Sequence, residues 1–174
     1  MEFVGENIRK KLLFCGTDVQ LNDLCKICKP EVVELLDNCR ICDFVFIWGG
    51  LGCKIGKYTD VQPGVKIWGG GAIIIGNYVS IGLGSVLLTA TYSHKEGLRM
   101  VDGLEEGKTK ALYGMLRIED DVYIGANCTV MPNIVLGEGS ILGAHSLATK
   151  SLDPWGIYVG SPAKKIGERC PVVV

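Results

Sequence analysis

The sequence predicts an all-β chain wound into a parallel β-helix, for three reasons. First, Ile118, Ile124, Val130, Leu136, Leu142 and Ala148 place an aliphatic or small apolar residue at every sixth position. Second, a companion slot two residues earlier holds Val122, Cys128, Ile134, Ser140 and Ser146. Third, IWGGLGCKIGKY from Ile47 returns as IWGGGAIIIGNY from Ile67, twenty residues on. A helix needs apolar residues three and four apart, and an ordinary strand alternates over a longer run.

Each hexad therefore reads as a short strand with two inward residues, and the residue between them faces outward because side chains alternate along a strand. Gly125, Gly137 and Gly143 stand just after the inward aliphatic, where glycine lets the backbone bend at little steric cost. Short strands without helices bury their inward residues only if the chain coils and successive turns stack as parallel sheets. Three six-residue sides make a triangular coil of about eighteen residues, with coils roughly 4.7 to 4.9 Å apart. Upstream the frame runs through Leu35, Ile41 and Ile47, then Ile55, Val61 and Ile67, then Ile75, Ile81 and Leu87. Between those sets the step is eight, as two residues bulging from a corner would give.

The frame dissolves between Leu87 and Ile118, so residues 89–117 are predicted to form an inserted loop. Long insertions on a rigid scaffold are usually functional or disordered, and His94, one of two histidines, lies in this one. Residues 154–174 form a C-terminal tail, and residues 1–174 read as a single domain.

Composition narrows the function classes. With 18 basic and 19 acidic residues and a net charge of −1, the chain has no electrostatic footprint for nucleic acid or anionic membrane. The apolar run near the start is too short for an export signal and no stretch reaches the length of a membrane span, so a cytoplasmic location is expected. The eight cysteines are then reduced thiols. Cys25, Cys28, Cys39 and Cys42 have a spacing that could hold zinc. The hexad frame instead places Cys39, Cys53 and Cys128 in the inward slot as small buried hydrophobes, so no metal is expected.

DDVYIGANCTVMPNIVLGEGSILGAHSLATKSLD and the tail WGIYVGSPAKKI resemble the hexapeptide-repeat acyltransferases, specifically the sugar O-acetyltransferase branch with the galactoside and maltose acetyltransferases. The likeness spans roughly Val19 to Arg169. It implies a left-handed parallel β-helix, a hand that periodicity alone does not give, since parallel crossovers are right-handed in about 98% of cases. It also implies a homotrimer with active sites between subunits, and acetyl-CoA as cosubstrate. The apolar outward residues Val135, Ile141 and Leu147 are compatible with a buried contact between copies.

The resemblance makes His94 the general base that takes the proton of an acceptor hydroxyl, a task suited to a group that titrates near neutrality. His145 is the alternative, though it stands in mid-coil where a turn residue is expected. Ala144, Thr149, Lys150 and Lys164 match positions that line the coenzyme track. Lys165 and Arg169 are neighbouring candidates, and a further arginine of the galactoside enzymes falls on Gly167. Tyr92, Asp102 and Tyr123 are candidates for the acceptor pocket. The expected reaction is O-acetylation of a sugar or saccharide-like hydroxyl. The alternatives are N-acetylation of a nucleotide-linked amino sugar, acetylation of an antibiotic, and a non-catalytic solenoid scaffold, which would show Thr or Asn ladders and no loop.

Overall fold

The structure is a computed structural model and describes residues 4–173. The chain winds through three parallel sheets in turn and climbs one level with each circuit. The first face contains Phe14–Cys15, Val33–Leu35, Gly52–Ile55, Ala72–Ile75, Met115–Ile118 and Val135–Leu136. The second begins with Gln20–Leu21, Arg40–Ile41, Asp60–Val61, Ser80–Ile81, Tyr123–Ile124 and Ile141–Leu142. The third contains Lys26–Cys28, Phe46–Trp48, Lys66–Trp68, Val86–Leu88, Thr129–Val130 and Leu147–Ala148. A short 3-10 helix, Gly5–Lys11, covers the bottom coil with Ile8 buried.

The hexad aliphatics are the core. Leu35, Ile55, Ile75, Ile118 and Leu136 stack in register up the first face, and all are buried. The companion slot is buried too, and its polar members have a task. Thr59 Oγ1 donates to the Gly76 carbonyl at 2.8 Å, and Ser85 Oγ donates to the Gly125 carbonyl at 2.9 Å. Cys128 Sγ lies 3.1 Å from the Gly143 carbonyl. In each case a small buried donor satisfies a carbonyl one coil higher, so serine is tolerated where an apolar residue would otherwise sit. Ser140 is the exception, its buried hydroxyl without a partner.

The corners correct one expectation. Gly125, Gly137 and Gly143 are not at positive φ. A Cβ on Gly125 would stand 2.5 Å from the Ala144 nitrogen, and one on Gly137 would stand 2.7 Å from the Pro154 nitrogen. Glycine is required there because stacked coils approach closely. The left-handed bend falls two residues later, at Asn38, Tyr58, Tyr78, Asp121, Asn127, Asn133 and His145. Asn and Asp tolerate that region better than other side chains, and His145 is thereby explained as an exposed corner residue.

Cys25, Cys39, Cys42, Cys53 and Cys128 are buried, and desolvation pushes the Cys39 and Cys53 thiols up to about 12. Cys25 and Cys28 belong to the third face, and Cys39 and Cys42 to the second. Among the described residues, no group of three or more His, Cys, Asp or Glu side chains gathers where a metal ion could sit. No described helix is long and apolar enough to cross a membrane.

The coil resumes at Met115, inside the segment expected to be loop, because Met115–Ile118 pairs in parallel with Ala72–Ile75. The insertion opens as an antiparallel hairpin, Ala90–Tyr92 against Ala111–Tyr113. The tail is likewise more ordered than a tail. Gly156–Val159 extends the second face and Lys164–Glu168 folds back against it. Arg169, a candidate for coenzyme contact, holds this cap in place: Nη1 donates to the carbonyls of Asp121 at 2.6 Å and Gly139 at 3.2 Å.

Candidate active site

The edge between the third and first faces carries an outward column one residue beyond the inward aliphatics: Cys28, Trp48, Trp68, Leu88, Met131 and Thr149. The insertion leaves the coil at this edge, just above Trp68. A cavity of about 320 Å³ lies between edge and insertion, its walls including Trp48, Trp68, Gly70, Tyr92, Asp102 and Tyr113.

The twenty-residue repeat explains how the wall is built. Leu51 of the first copy is 75% exposed at its bulge, whereas the second copy has Gly71 at that place. A Cβ on Gly71 would collide with the carbonyls of Gly114 and Thr89, the two ends of the hairpin. At Gly70 a Cβ would enter the Tyr113 ring, which lies directly on the glycine backbone. The triple glycine 69–71 is thus the seat on which the insertion rests. Trp68 is 51% exposed, with its ring 5.6 Å from that of Phe46 and 5.8 Å from that of Trp48. The cleft therefore has an aromatic floor and one carboxylate, Asp102. A hydrogen bond to that carboxylate raises the pKa of the Tyr92 phenol above its ordinary value.

Of the acceptor candidates, Tyr92 and Asp102 line the cavity. Tyr123 does not: it stands on the second face between Ser80 and Ile141. His94 is exposed, two residues past Tyr92, and is not part of the cavity wall. Thr149 and Lys150 are exposed at the top of the same edge, and Ala144 is exposed at the opposite edge of the third face. Lys164 follows Ala163, whose amide donates to the Leu147 carbonyl at 2.8 Å, so the tail brings it beside the top of that face. Lys165 pairs with Glu168 at 2.8 Å and stands 3.7 Å from Asp153, so its charge is largely engaged within the tail. Trp48, Trp68, Gly70 and Tyr113 went unassigned in the sequence. The clue was the outward tryptophan recurring in both copies of IWGG.

A parallel β-helix interrupted by a hairpin over an aromatic cleft defines a class, and comparison with known proteins narrows it. The family model described as bacterial transferase hexapeptide (six repeats) matches residues 116–150. A probable macrolide acetyltransferase of Lysinibacillus sphaericus is 48% identical over 52 residues, 30% of this chain and 29% of that protein. A chloramphenicol acetyltransferase of Klebsiella aerogenes is 48% identical over 52 residues, 25% of its length. The chain thus matches less than a third of the length of these curated relatives. Similarity to AntD, an N-acyltransferase from Bacillus cereus solved with dTDP and 3-hydroxybutyryl-CoA, is far more extensive. The TM-score is 0.87 at 29% identity, covering 97% of this chain and 90% of that one. The hexapeptide-repeat acetyltransferase VCA0836 of Vibrio cholerae, solved with acetyl-CoA, shares the fold with a TM-score of 0.69 at 20% identity, covering 95% and 75%. Residues 116–150 carry the hexapeptide repeat of the bacterial transferases, and over nearly its whole length the chain has the left-handed β-helical fold of these acyltransferases.

Proposed function

We propose that the protein transfers an acyl group from acyl-CoA to an amine on a nucleotide-linked sugar, bound in the cleft between Trp68 and the insertion. The observation that carries this reading is the cleft itself: an aromatic floor, with a lone carboxylate held beside Tyr92. Aromatic surface suits the apolar face of a sugar or a base, and Asp102 would attract an ammonium group and keep it oriented. Likeness to AntD over nearly the whole chain supports the same acceptor class, since a variant of that protein was solved with dTDP-4-amino-4,6-dideoxyglucose and coenzyme A.

In this mechanism the bound ammonium first loses a proton to solvent, and the resulting neutral amine attacks the thioester carbonyl, forming the C–N bond. Collapse of the tetrahedral adduct breaks the C–S bond and releases coenzyme A, and the proton lost by nitrogen passes to a nearby base. Thr149, Lys150 and Lys164 would guide the coenzyme along the upper part of the edge, with lysine as a point charge for phosphate. Positioning of both reactants supplies most of the rate. We propose a homotrimer as the working form, with a neighbouring copy closing the cleft, because Val135 and Leu147, on the two faces that meet at the cleft edge, remain at least partly exposed in the single chain.

A second reading, O-acetylation of a sugar hydroxyl, is favoured by His94 at the root of the insertion, because a hydroxyl needs a base more than an amine does. The test is to incubate the protein with acetyl-CoA and either dTDP-4-amino-4,6-dideoxyglucose or its 4-hydroxy counterpart, following thiol release and locating the acetyl group. Amide formation with the amine alone supports the first reading; ester formation supports the second; no thiol release with a wide range of amino and hydroxy sugars removes both.

A further inference from the structure

We infer that the N-terminal half of the third face binds the diphosphate and base of a nucleoside-diphosphate sugar, below the cleft that receives the sugar. The inference takes from the proposed function only that the acceptor is carried on a nucleotide.

Faces with the same architecture differ in what their cations meet. On the first and second faces, residues twenty apart are stacked neighbours, and cations there meet acids. Lys54 faces Glu34 at 3.7 Å and Arg40 faces Asp60 at 2.8 Å, while Lys57 reaches Asp37 at 2.9 Å at the corner between them. On the third face Lys26, Phe46 and Lys66 are stacked at the same spacing. Here the place between two lysines holds a phenyl ring in place of a carboxylate. Lys26 Nζ lies 6.0 Å from the Phe46 ring centroid and Lys29 Nζ lies 5.8 Å from that of Trp48. Lys66 Nζ donates to the Gly64 carbonyl at 3.1 Å. Among the described residues, no carboxylate comes within 4.0 Å of any of these three ammonium groups. All three lysines are exposed.

Like charges gathered without acids repel one another, and a polyanion relieves that repulsion. The rings interleaved with them specify what else the ligand has: a flat group able to stack, as a base does. Trp68 sits at the junction, touching Phe46 and Trp48 while forming part of the cleft wall. A ligand with its base and diphosphate on the lysine and aromatic lattice would deliver its sugar to Asp102. Higher up, the outward positions are Val86, Thr129 and Leu147, with Leu88 and Met131 beside them, all uncharged. The diphosphate site is therefore confined to the lower coils, and donor and acceptor approach from opposite ends and meet at the insertion.

The test is calorimetric titration of the full-length protein with dTDP and with UDP, and separately with coenzyme A. The variants are Lys26→Ala combined with Lys66→Ala, and Trp68→Ala, each checked for a native circular dichroism spectrum. The expected result is binding of at least one nucleotide, weakened tenfold or more in both variants and further weakened by raised salt in the wild type, while coenzyme A affinity of the double lysine variant stays within twofold. Absence of binding by both nucleotides, or binding that survives the double lysine substitution, overturns the inference. Intact coenzyme binding alongside that failure would leave the acyl-transfer reading standing; loss of coenzyme binding with nucleotide binding retained would overturn that reading instead. Should the double variant fail to fold, Lys26→Gln alone serves, with a smaller loss expected and an unchanged affinity again contradicting the site.

Discussion

Replacing Gly71 with alanine tests whether the insertion must rest on the triple glycine for the cleft to work. The new Cβ would lie within contact distance of three backbone atoms: the Gly114 carbonyl oxygen, the Thr89 carbonyl oxygen and, at 2.9 Å, the Gly114 nitrogen. Backbone cannot rotate aside as a side chain can, so the hairpin base must retreat by roughly 1 Å. Overpacking of this kind typically costs about 1–3 kcal/mol. At about 2–4 °C per kcal/mol for a chain of this size, the midpoint should fall by about 2–12 °C. Misplacement of a positioning wall by roughly 1 Å can cost about 10²-fold in rate, so kcat/KM should fall by that order while coenzyme A affinity is retained. Leu51→Ala is the control, since Leu51 is the equivalent residue one repeat earlier and is 75% exposed. It should change stability by no more than about 0.5 kcal/mol. The assays are thermal unfolding at fixed protein concentration and steady-state thiol release. Equal effects from the two substitutions, or full activity in the Gly71 variant, would refute the reasoning.

Other expected outcomes follow from buried groups and from the cleft. Ser85→Ala should cost about 2–4 kcal/mol, because Ser85 Oγ donates to the Gly125 carbonyl and accepts the Cys128 amide, and both partners would be left buried and unpaired. Ser140→Ala, which removes a hydroxyl without a partner, should be neutral or stabilising in the same denaturation experiment. Alkaline pH should destabilise the fold through Cys39 and Cys53. Their thiols remain protonated to about 12 when folded but ionise from the ordinary value of 9.0 when unfolded, so stability is whole below pH 9 and is lost as pH rises towards 12. Each such thiol should contribute about 1.4 kcal/mol of loss per pH unit within that window, and replacing both with valine should flatten the pH profile. Asp102→Asn should lower acyl transfer to an amino sugar about tenfold or more, and should return the Tyr92 phenol towards its ordinary pKa, followed by ultraviolet titration. Replacing His94 with alanine should reduce transfer to hydroxyl acceptors about 10² to 10⁴-fold if it acts as their base, and should spare transfer to amines.

The coil was legible in the sequence because a period of six leaves few ways to bury the same two slots. Ile118 to Ala148 fixed the frame, and Val122, Cys128 and Ser146 proved inward with it. The corner chemistry was harder to read. A glycine after each aliphatic suggests a bend, yet Gly125 serves the close approach of the next coil, and the bend is made by Asn127. The hairpin Ala90–Tyr92 with Ala111–Tyr113 left no mark on the hexad frame, because its partners are antiparallel and far apart in the chain. Tyr92 and Asp102 could be placed in the cleft from their position in the insertion, whereas Tyr123 could not be kept out of it: an outward residue on a triangular coil faces one of three directions, and only the count of bulge residues tells which. Lys165 and Arg169 illustrate the same gap. Both are cationic and near the expected coenzyme track, but one pairs with Glu168 and the other clamps the cap.

The most direct measurement is a crystal structure of the protein with coenzyme A bound. The pantetheine arm should run down the edge from Thr149 and Lys150, with its sulfur at the mouth of the cleft formed by Trp68, Tyr92 and Tyr113. Coenzyme A lying along another face, or a sulfur that cannot reach the cleft, would contradict it.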